Sequence, residues 1–462
     1  VSGATVHPTE EGLRRSLVPR QIAMMAMGSA IGVGLFLGSS VTIRLAGPAV
    51  IVTYVIGALI AMVMGYALAE MAVMHPVAGS FGVFADRYLS PWAGFVVRAT
   101  YAFVQILAIG AEVTAVAIYF AFWFPSVPSW TWVVGMAAAL IAINTAQVKV
   151  FGELEYWFAL IKVTAIVLFI AVGLAFLTGI GPWPAIGLQN LVDGPGGFLP
   201  NGWIGVWLAL TLVITSYMGV EAIAVTAGEA QNPETSIPRA MRSLVLRLIL
   251  FYVLAVTVML IMSPWSQLAE GGQGVTGSPF VRAFTAVGIP NAAGAMNLVV
   301  ISAAASSANS NLYMTARMLL SLARSGYAPR SLAEVSRRGV PLRAVAAAST
   351  GVVAAILLAV YAPANAFLAL YGTAVAGMLF IWVVILVTYL RFRKTMTKDQ
   401  LAQLPLRMPA HRAAAWFGIV SLVAIAATSF FVEGLQYSVV FFLPFLALMS
   451  IVYARRRREA HG

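Results

Sequence analysis

The sequence predicts an all-helical polytopic membrane protein of twelve spans in which spans 1 and 6 are broken. Three observations carry this. Of 462 residues, 61% are hydrophobic and only 10% charged, against about 25% charged in a soluble chain. The apolar residues fall into runs of about 20, the length of a helix crossing the hydrocarbon core of a bilayer. Two of these runs are interrupted at bilayer depth. Gly28-Ser29-Ala30-Ile31-Gly32-Val33-Gly34 breaks the run 22–37, and Ser216-Tyr217-Met218-Gly219-Val220-Glu221 breaks the run 203–227. Non-helical backbone at that depth is tolerated only where it is buried in protein or lines a cavity. Two Gly-interrupted segments at matching places in two halves point to a transported ligand.

The spans are expected at about 21–43, 48–74, 92–122, 131–148, 156–178, 202–228, 244–263, 291–322, 341–361, 365–390, 413–432 and 437–454. Proline and glycine punctuate the connections, as in Ala46-Gly47-Pro48 and Gly181-Pro182-Trp183-Pro184. An even number of spans puts both termini on one side, and the basic residues say which. Arg14, Arg15 and Arg20 precede span 1; Arg87, Lys149, Arg239 and Arg242 lie in later connections of the same side, and basic clusters follow spans 8, 10 and 12. The opposite side holds Arg44 and Arg282. Both termini are therefore expected in the cytoplasm. Spans 1 and 6 are an odd number apart, so spans 1–5 and 6–10 are oppositely oriented, the pattern of an inverted repeat. The expected organisation is a cytoplasmic segment 1–20, a first repeat 21–178, a second repeat 202–390, two added spans in 413–454 and a basic tail 455–462. Residues 1–20 are polar, so no cleavable signal peptide is expected.

The first break offers backbone rather than side chains. An unwound helix exposes N–H groups at the start of its second half and carbonyls at the end of its first. The N–H groups of Val33, Gly34 and Leu35 suit an anion, aided by the half-helix dipole. Carbonyls near Ser29 and Ala30 suit an ammonium, and Ile31 and Gly32 between the two halves are counted with the binding residues. Together they fit a zwitterion. Close helix packing by small residues is the alternative, and the matched break in span 6 favours the cavity. There Ser216, Tyr217, Met218 and Gly219 supply backbone and Glu221 a carboxylate, which at this depth faces an interior cavity. Glu221 would bind a substrate amine, carry a proton or tie down the unwound chain. Glu229, in Gly228-Glu229-Ala230-Gln231-Asn232-Pro233, reads as a loop organiser.

Three further features lie on the intervening spans. Glu112, deep in span 3, needs an interior partner or a proton, and serves either proton traffic or helix packing. Lys162, six residues into span 5, either snorkels to the surface or is held by carbonyls of the first break in place of a bound cation. The stretch Ser302-Ala303-Ala304-Ala305-Ser306-Ser307-Ala308-Asn309-Ser310-Asn311 in span 8 permits close packing and also a polar path. Arg98 in span 3 is expected at the interface.

Several classes are excluded. The chain has no cysteine, so thiol catalysis and thiolate metal sites are out. His7, His75, His411 and His461 lie outside or at the edge of the apolar runs without HExxH spacing. There is no GxxxxGK[ST] phosphate loop and so no ATPase of the chain's own. The formal net charge of +12 sits in short connections, which reads as membrane topology rather than nucleic-acid binding. No cofactor, metal or enzymatic activity is expected.

The ordered motifs resemble the amino-acid permeases of the amino acid–polyamine–organocation superfamily, specifically the bacterial amino acid transporter family. Ile31-Gly32-Val33-Gly34-Leu35-Phe36-Leu37-Gly38-Ser39 is similar to its IGTGLFLGSG signature, followed by Ala46-Gly47-Pro48. Phe151-Gly152-Glu153-Leu154-Glu155-Tyr156-Trp157-Phe158 with Ile161-Lys162-Val163 resembles FGExEFWFAxIKV. Ala227-Gly228-Glu229-Ala230 with Asn232-Pro233 resembles AGEaxNP, and Ala308-Asn309-Ser310-Asn311-Leu312-Tyr313 with Arg317-Met318-Leu319 resembles aNSgxYxxsRML. The likeness runs from Leu13 to the last span. Val33 stands where the family has threonine, and Gly94-Phe95-Val96-Val97-Arg98 departs from its GWxYW.

The resemblance implies a leucine-transporter-type fold of five plus five inverted spans and secondary amino-acid uptake across the cytoplasmic membrane of a bacterium, usually with protons. It implies that residues 30–34 and 217–221 hold the substrate's carboxylate and amine, and that Lys162 stands where sodium-coupled relatives hold a cation. The resulting expectation is a proton symporter of a neutral amino acid, with Lys162, Glu112 and Glu221 as coupling residues. An exchanger and a non-transporting amino-acid receptor are the alternatives. The expected partners are the amino acid, protons and lipid.

Overall fold

The computed structural model describes residues 17–30, 32–36, 38–77, 79–146, 148–180, 185–270, 278–286, 288, 291–361, 366–432, 435 and 438–459. Among these the chain is helical, without strands beyond a bridge between Leu17 and Ala230. The helices in order are α1 Pro19–Ala30, α2 Val33–Phe36, α3 Gly38–Ala46, α4 Val50–Met74, α5 Ser80–Tyr88, α6 Pro91–Phe120, α7 Ser129–Thr145 and α8 Val148–Thr178. Then come α9 Gln189–Val192, α10 Gly202–Ser216, α11 Ala222–Val225, α12 Pro233–Leu248, a π-helical turn Ile249–Leu254, α13 Ala255–Met262, α14 Trp265–Ala269 and α15 Pro279–Ala286. The chain closes with α16 Ala292–Arg324, α17 Leu342–Ala348, α18 Thr350–Tyr361, α19 Ala366–Thr395, α20 Lys398–Gln403, α21 His411–Thr428 and α22 Ser438–Glu459.

Among the described residues, six stretches are long and apolar enough to cross a membrane: Gly38–Met74, Pro91–Phe120, Val148–Thr178, Ala374–Thr395, His411–Phe431 and Ser438–Arg458. Apolar helices at Ser129–Thr145, Gly202–Ser216, Leu250–Met262 and Leu342–Leu357 are shorter. Helix α16 has the length but not the apolarity, because its centre is serine, asparagine and alanine. It compensates by burial: Ala303, Ala304, Ser306, Ala308 and Asn309 are all at 0% exposure.

Packing order follows from burial. The apolar window of α6 is 67% buried, whereas those of α8, α21 and α22 are 28%, 33% and 17% buried. Thus α6 is central, against α16, α18 and α19, and the other three form a rim with outward Leu168, Val420 and Phe441. Such a rim carries no penalty in lipid. Glycine permits the central approach. A Cβ on Gly351 of α18 would lie 1.9 Å from the Ile106 carbonyl of α6, and one on Gly377 of α19 2.4 Å from Val104 Cγ2.

Buried polar ties fix the helices relative to one another. Glu70 of α4 accepts from Tyr389 Oη at 3.0 Å, Arg393 Nη1 at 3.2 Å and the Met408 N–H at 2.5 Å. Arg98, expected at the interface, is wholly buried within the protein near the start of α6. Helix α5, unforeseen in the connection after α4, folds over it, so that a Cβ on Gly82 would lie 2.1 Å from Arg98 Cγ. Its guanidinium donates to the Gly94 carbonyl at 2.8 Å, Ser321 Oγ at 3.1 Å and Ser325 Oγ at 2.7 Å, with Asp86 at 3.6 Å.

Glu229 closes the same end of the bundle. Its backbone carbonyl accepts from the Leu17 N–H at 3.1 Å, and the Gln231 N–H returns to the Leu17 carbonyl at 3.1 Å. Its carboxylate accepts from Arg317 Nε at 2.8 Å, with both side chains 2% exposed. Arg317 lies 3.5 Å from the Tyr313 ring centroid, and Tyr313 stacks on Phe151 of α8 at 4.4 Å. One residue therefore organises its loop, as expected, and also joins α16 to the segment before α1.

Two stability outcomes follow. Gly351→Val should lower stability by at least about 1–3 kcal/mol through overpacking, while Gly135→Ala, whose Cβ meets nothing within 4 Å, should leave it unchanged or raised; thermal unfolding of the purified protein reads both. Glu229→Ala leaves a buried guanidinium unpaired and should cost about 3–5 kcal/mol. Glu334→Gln, at the exposed Arg343 pair, should change stability by less than about 1 kcal/mol.

Candidate functional site

The first break is a helix end followed by a helix start. Helix α1 stops at Ala30, Gly32 is non-helical, and α2 begins at Val33. Ile31 lies outside the described residues. Gly32 is buried, and a Cβ there would lie 2.8 Å from Glu112 Oε1 and 3.0 Å from Ser307 Oγ. Only glycine lets the chain approach the carboxylate this closely. Ser307 Oγ donates to Glu112 Oε1 at 2.9 Å, so α6 and α16 together present a polar pair to the unwound backbone.

The second break spans residues 217–221 between α10 and α11. Gly219 takes φ 109°, a left-handed conformation that favours glycine. That turn aims the Gly219 N–H at Glu221 Oε2, 2.9 Å away. Glu221 Oε1 faces Tyr101 Oη at 3.4 Å. Gln105, one helical turn along α6, donates to Tyr101 Oη at 3.1 Å and to Asn311 Oδ1 at 3.0 Å. Two other tyrosines secure the frayed ends: Tyr252 Oη donates to the Ser216 carbonyl at 2.7 Å, and Tyr217 Oη donates to the Tyr54 carbonyl at 2.8 Å.

Between the breaks lies a cavity of about 60 Å³, several times the ~10–15 Å³ that holds one water. Of the residues expected from sequence, Gly32, Gly34, Glu112, Ser216, Met218 and Gly219 line it. Gln105, Thr215, Ser307 and Asn311 add polar atoms, and Val104, Ala108, Ala374, Val375 and Met378 form an apolar wall. Tyr217 and Glu221 are buried beside it without lining it. The backbones of Ala30 and Val33 flank the break in α1 and α2.

Lys162 is on α8 and wholly buried, so it does not snorkel. The carboxylates acting on it are Glu155 and Glu112. Glu155, also wholly buried, accepts from Ser306 Oγ and from Asn309 Nδ2 at 2.9 Å, and Asn309 Oδ1 accepts from Asn144 Nδ2 at 2.7 Å. Sequence reasoning missed Glu155 as a functional candidate, although its spacing of two helical turns from Lys162 places both on one face. It also missed Tyr101 and Gln105, whose signal is an amide one turn from a tyrosine in an apolar run.

The family model described as amino acid permease matches residues 21–458. The chain is 40% identical over 455 residues to the uncharacterized amino acid permease YtnA of Bacillus subtilis (strain 168), covering 96% of each chain. It is 36% identical over 452 residues to the aromatic amino acid transport protein AroP of Escherichia coli (strain K12), covering 97% of each. It is 37% identical over 445 residues to the probable threonine/serine transporter YbxG of Bacillus subtilis (strain 168), covering 96% of this chain and 94% of that one. At this coverage and identity the chain belongs to the amino acid permease family, a family of multi-pass membrane transporters rather than enzymes.

Proposed function

We propose that this permease takes up a neutral amino acid by proton symport and alternating access. The observation that supports it most is the position of the cavity. It lies between two broken helices, with Glu112 on its wall, while Lys162 and Glu155 are both wholly buried on α8. In this reading the N–H groups of Val33 and Gly34 receive the substrate carboxylate. The carbonyls of Ala30, Tyr217 and Met218 receive its amine, since Tyr252 already engages the Ser216 carbonyl. The side chain rests on Val104, Ala108, Val375 and Met378, an uncharged surface that suits an uncharged side chain. Relatives are named for aromatic amino acids and for threonine or serine.

The same reading carries the architecture in full: twelve spans, a first repeat 21–178 and an inverted repeat 202–390 of the leucine-transporter type, added spans in 413–454, and both termini in the cytoplasm. Helices α1 and α10 would move with their broken partners against the rest. Proton coupling would use Glu112, Glu221 and Lys162, with the proton exchanging between Glu112 and the solvent that enters with the substrate.

A thermal-shift screen of the purified protein against all amino acids should single out one neutral class, since a ligand stabilises according to its occupancy. In proteoliposomes, an imposed inward proton gradient should drive accumulation of that amino acid. Glu112→Gln and Lys162→Ala should abolish most gradient-driven accumulation while remaining monodisperse. Glu221→Gln should weaken binding or coupled uptake. Counterflow at full rate with no response to the gradient would make the protein an exchanger, and binding without either flux would make it a receptor.

A further inference from the structure

A second concavity, of about 570 Å³, lies at the end of α19 and the start of α21. Five basic groups line it: Arg391, Arg393 and Lys394 from the end of α19, and His411 and Arg412 from the start of α21. No carboxylate lines it among the described residues. Glu70, wholly buried, takes a single hydrogen bond from Arg393 Nη1.

Arg393 is the distinctive member. Its side chain is 10% exposed, yet Nε is buried and has no hydrogen-bond partner. A buried guanidinium N–H left unmet is costly. A second source of positive potential converges there. Helix α21 is 18 residues long and starts at His411 with no side-chain cap on its N-terminus, leaving N–H groups and the positive dipole end at the rim. Trp416, one turn further along α21, lines the same concavity and is 58% exposed. An outward tryptophan beside a cluster of cations is the arrangement found at the headgroup level of a membrane.

We propose that this concavity binds a phosphate-bearing anion, supplied as the headgroup of an anionic membrane phospholipid. The phosphate would meet the guanidinium of Arg393 where it lines the concavity, with Arg391, Lys394 and Arg412 around it, while Trp416 rests against the glycerol and the first acyl carbons. Basic pockets between membrane helices have this chemistry. Because Arg393 also holds Glu70, and Glu70 ties α4 to α19 and to the Met408 backbone, an occupied site would brace the helices at this end of the bundle. Occupancy would therefore register as stability.

The test uses the full chain in a neutral detergent. Phosphatidylglycerol, phosphatidylcholine and inorganic phosphate are titrated separately while thermal unfolding is followed. Phosphatidylglycerol should raise the melting temperature of the wild type saturably, and phosphatidylcholine should not. The triple variant Arg391→Gln/Lys394→Gln/Arg412→Gln spares the Glu70 partner, and should bind phosphatidylglycerol more weakly by on the order of a hundredfold. The charge-matched control Arg455→Gln/Arg457→Gln/Arg458→Gln should keep the wild-type response. No shift with phosphatidylglycerol, or an equal loss in both triple variants, would overturn the proposal. Equal stabilisation by inorganic phosphate, lost in the first triple variant alone, would overturn the lipid as source and leave a phosphate-ion site. Substrate uptake is not a readout here, so the outcome stands apart from that of the transport reading.

Discussion

A helix that stops inside a membrane leaves donors and acceptors with no water to meet them. That constraint organises the interior of this protein. The broken ends are met in three ways: the Tyr252 hydroxyl takes the Ser216 carbonyl, the Glu221 carboxylate two residues along the same break takes the Gly219 N–H, and the Glu112–Ser307 pair packs against Gly32. The partners from elsewhere come from α6, α16 and the π-helical turn. The breaks therefore dictate which helices must be central, and those helices in turn carry the polar residues that a solvent-free bundle otherwise avoids.

Helix α16 shows how one stretch serves two ends. Sequence reasoning left its small residues divided between packing and a polar path. The structure uses both, by helical phase. Ser306 and Asn309, three residues apart, turn to Glu155; Ser307 and Asn311, four apart, turn to the cavity. Ala303, Ala304 and Ala308 fill the remaining faces at 0% exposure. Polar atoms reach both the cavity and Glu155 without widening the helix contact, because serine and alanine differ by one small atom.

The apolar runs and the paired breaks were legible in the sequence because both are local: hydropathy is read along one segment, and glycine marks its own interruption. Gly32, Gly34, Ser216, Met218 and Gly219, which line the cavity, stand in those breaks, and Glu112 is a lone carboxylate in an apolar run. What escaped is long-range. Nothing near Arg98 announces that α5 folds back to cover its stem. The bond of Leu17 to the backbone of Glu229 joins segments more than two hundred residues apart and leaves no pattern in either. Glu155 was visible but unread, since the value of a carboxylate near Lys162 depends on Asn309 and Ser306 arriving from another helix.

The π-helical turn at Ile249–Leu254 bears on how this lineage can vary. Such a turn holds one residue more than an α-helical one, and each residue turns a helix face by about 100°. Tyr252 sits within it and reaches the Ser216 carbonyl, while Val258 and Met262 beyond it abut Gly173 of α8. A one-residue deletion here would relax the turn to ordinary helix and swing one side of the element away from its contacts. The reading frame of contacts is thus set by length as much as by composition. Substitutions inside these six residues are a milder change than the loss of any one of them.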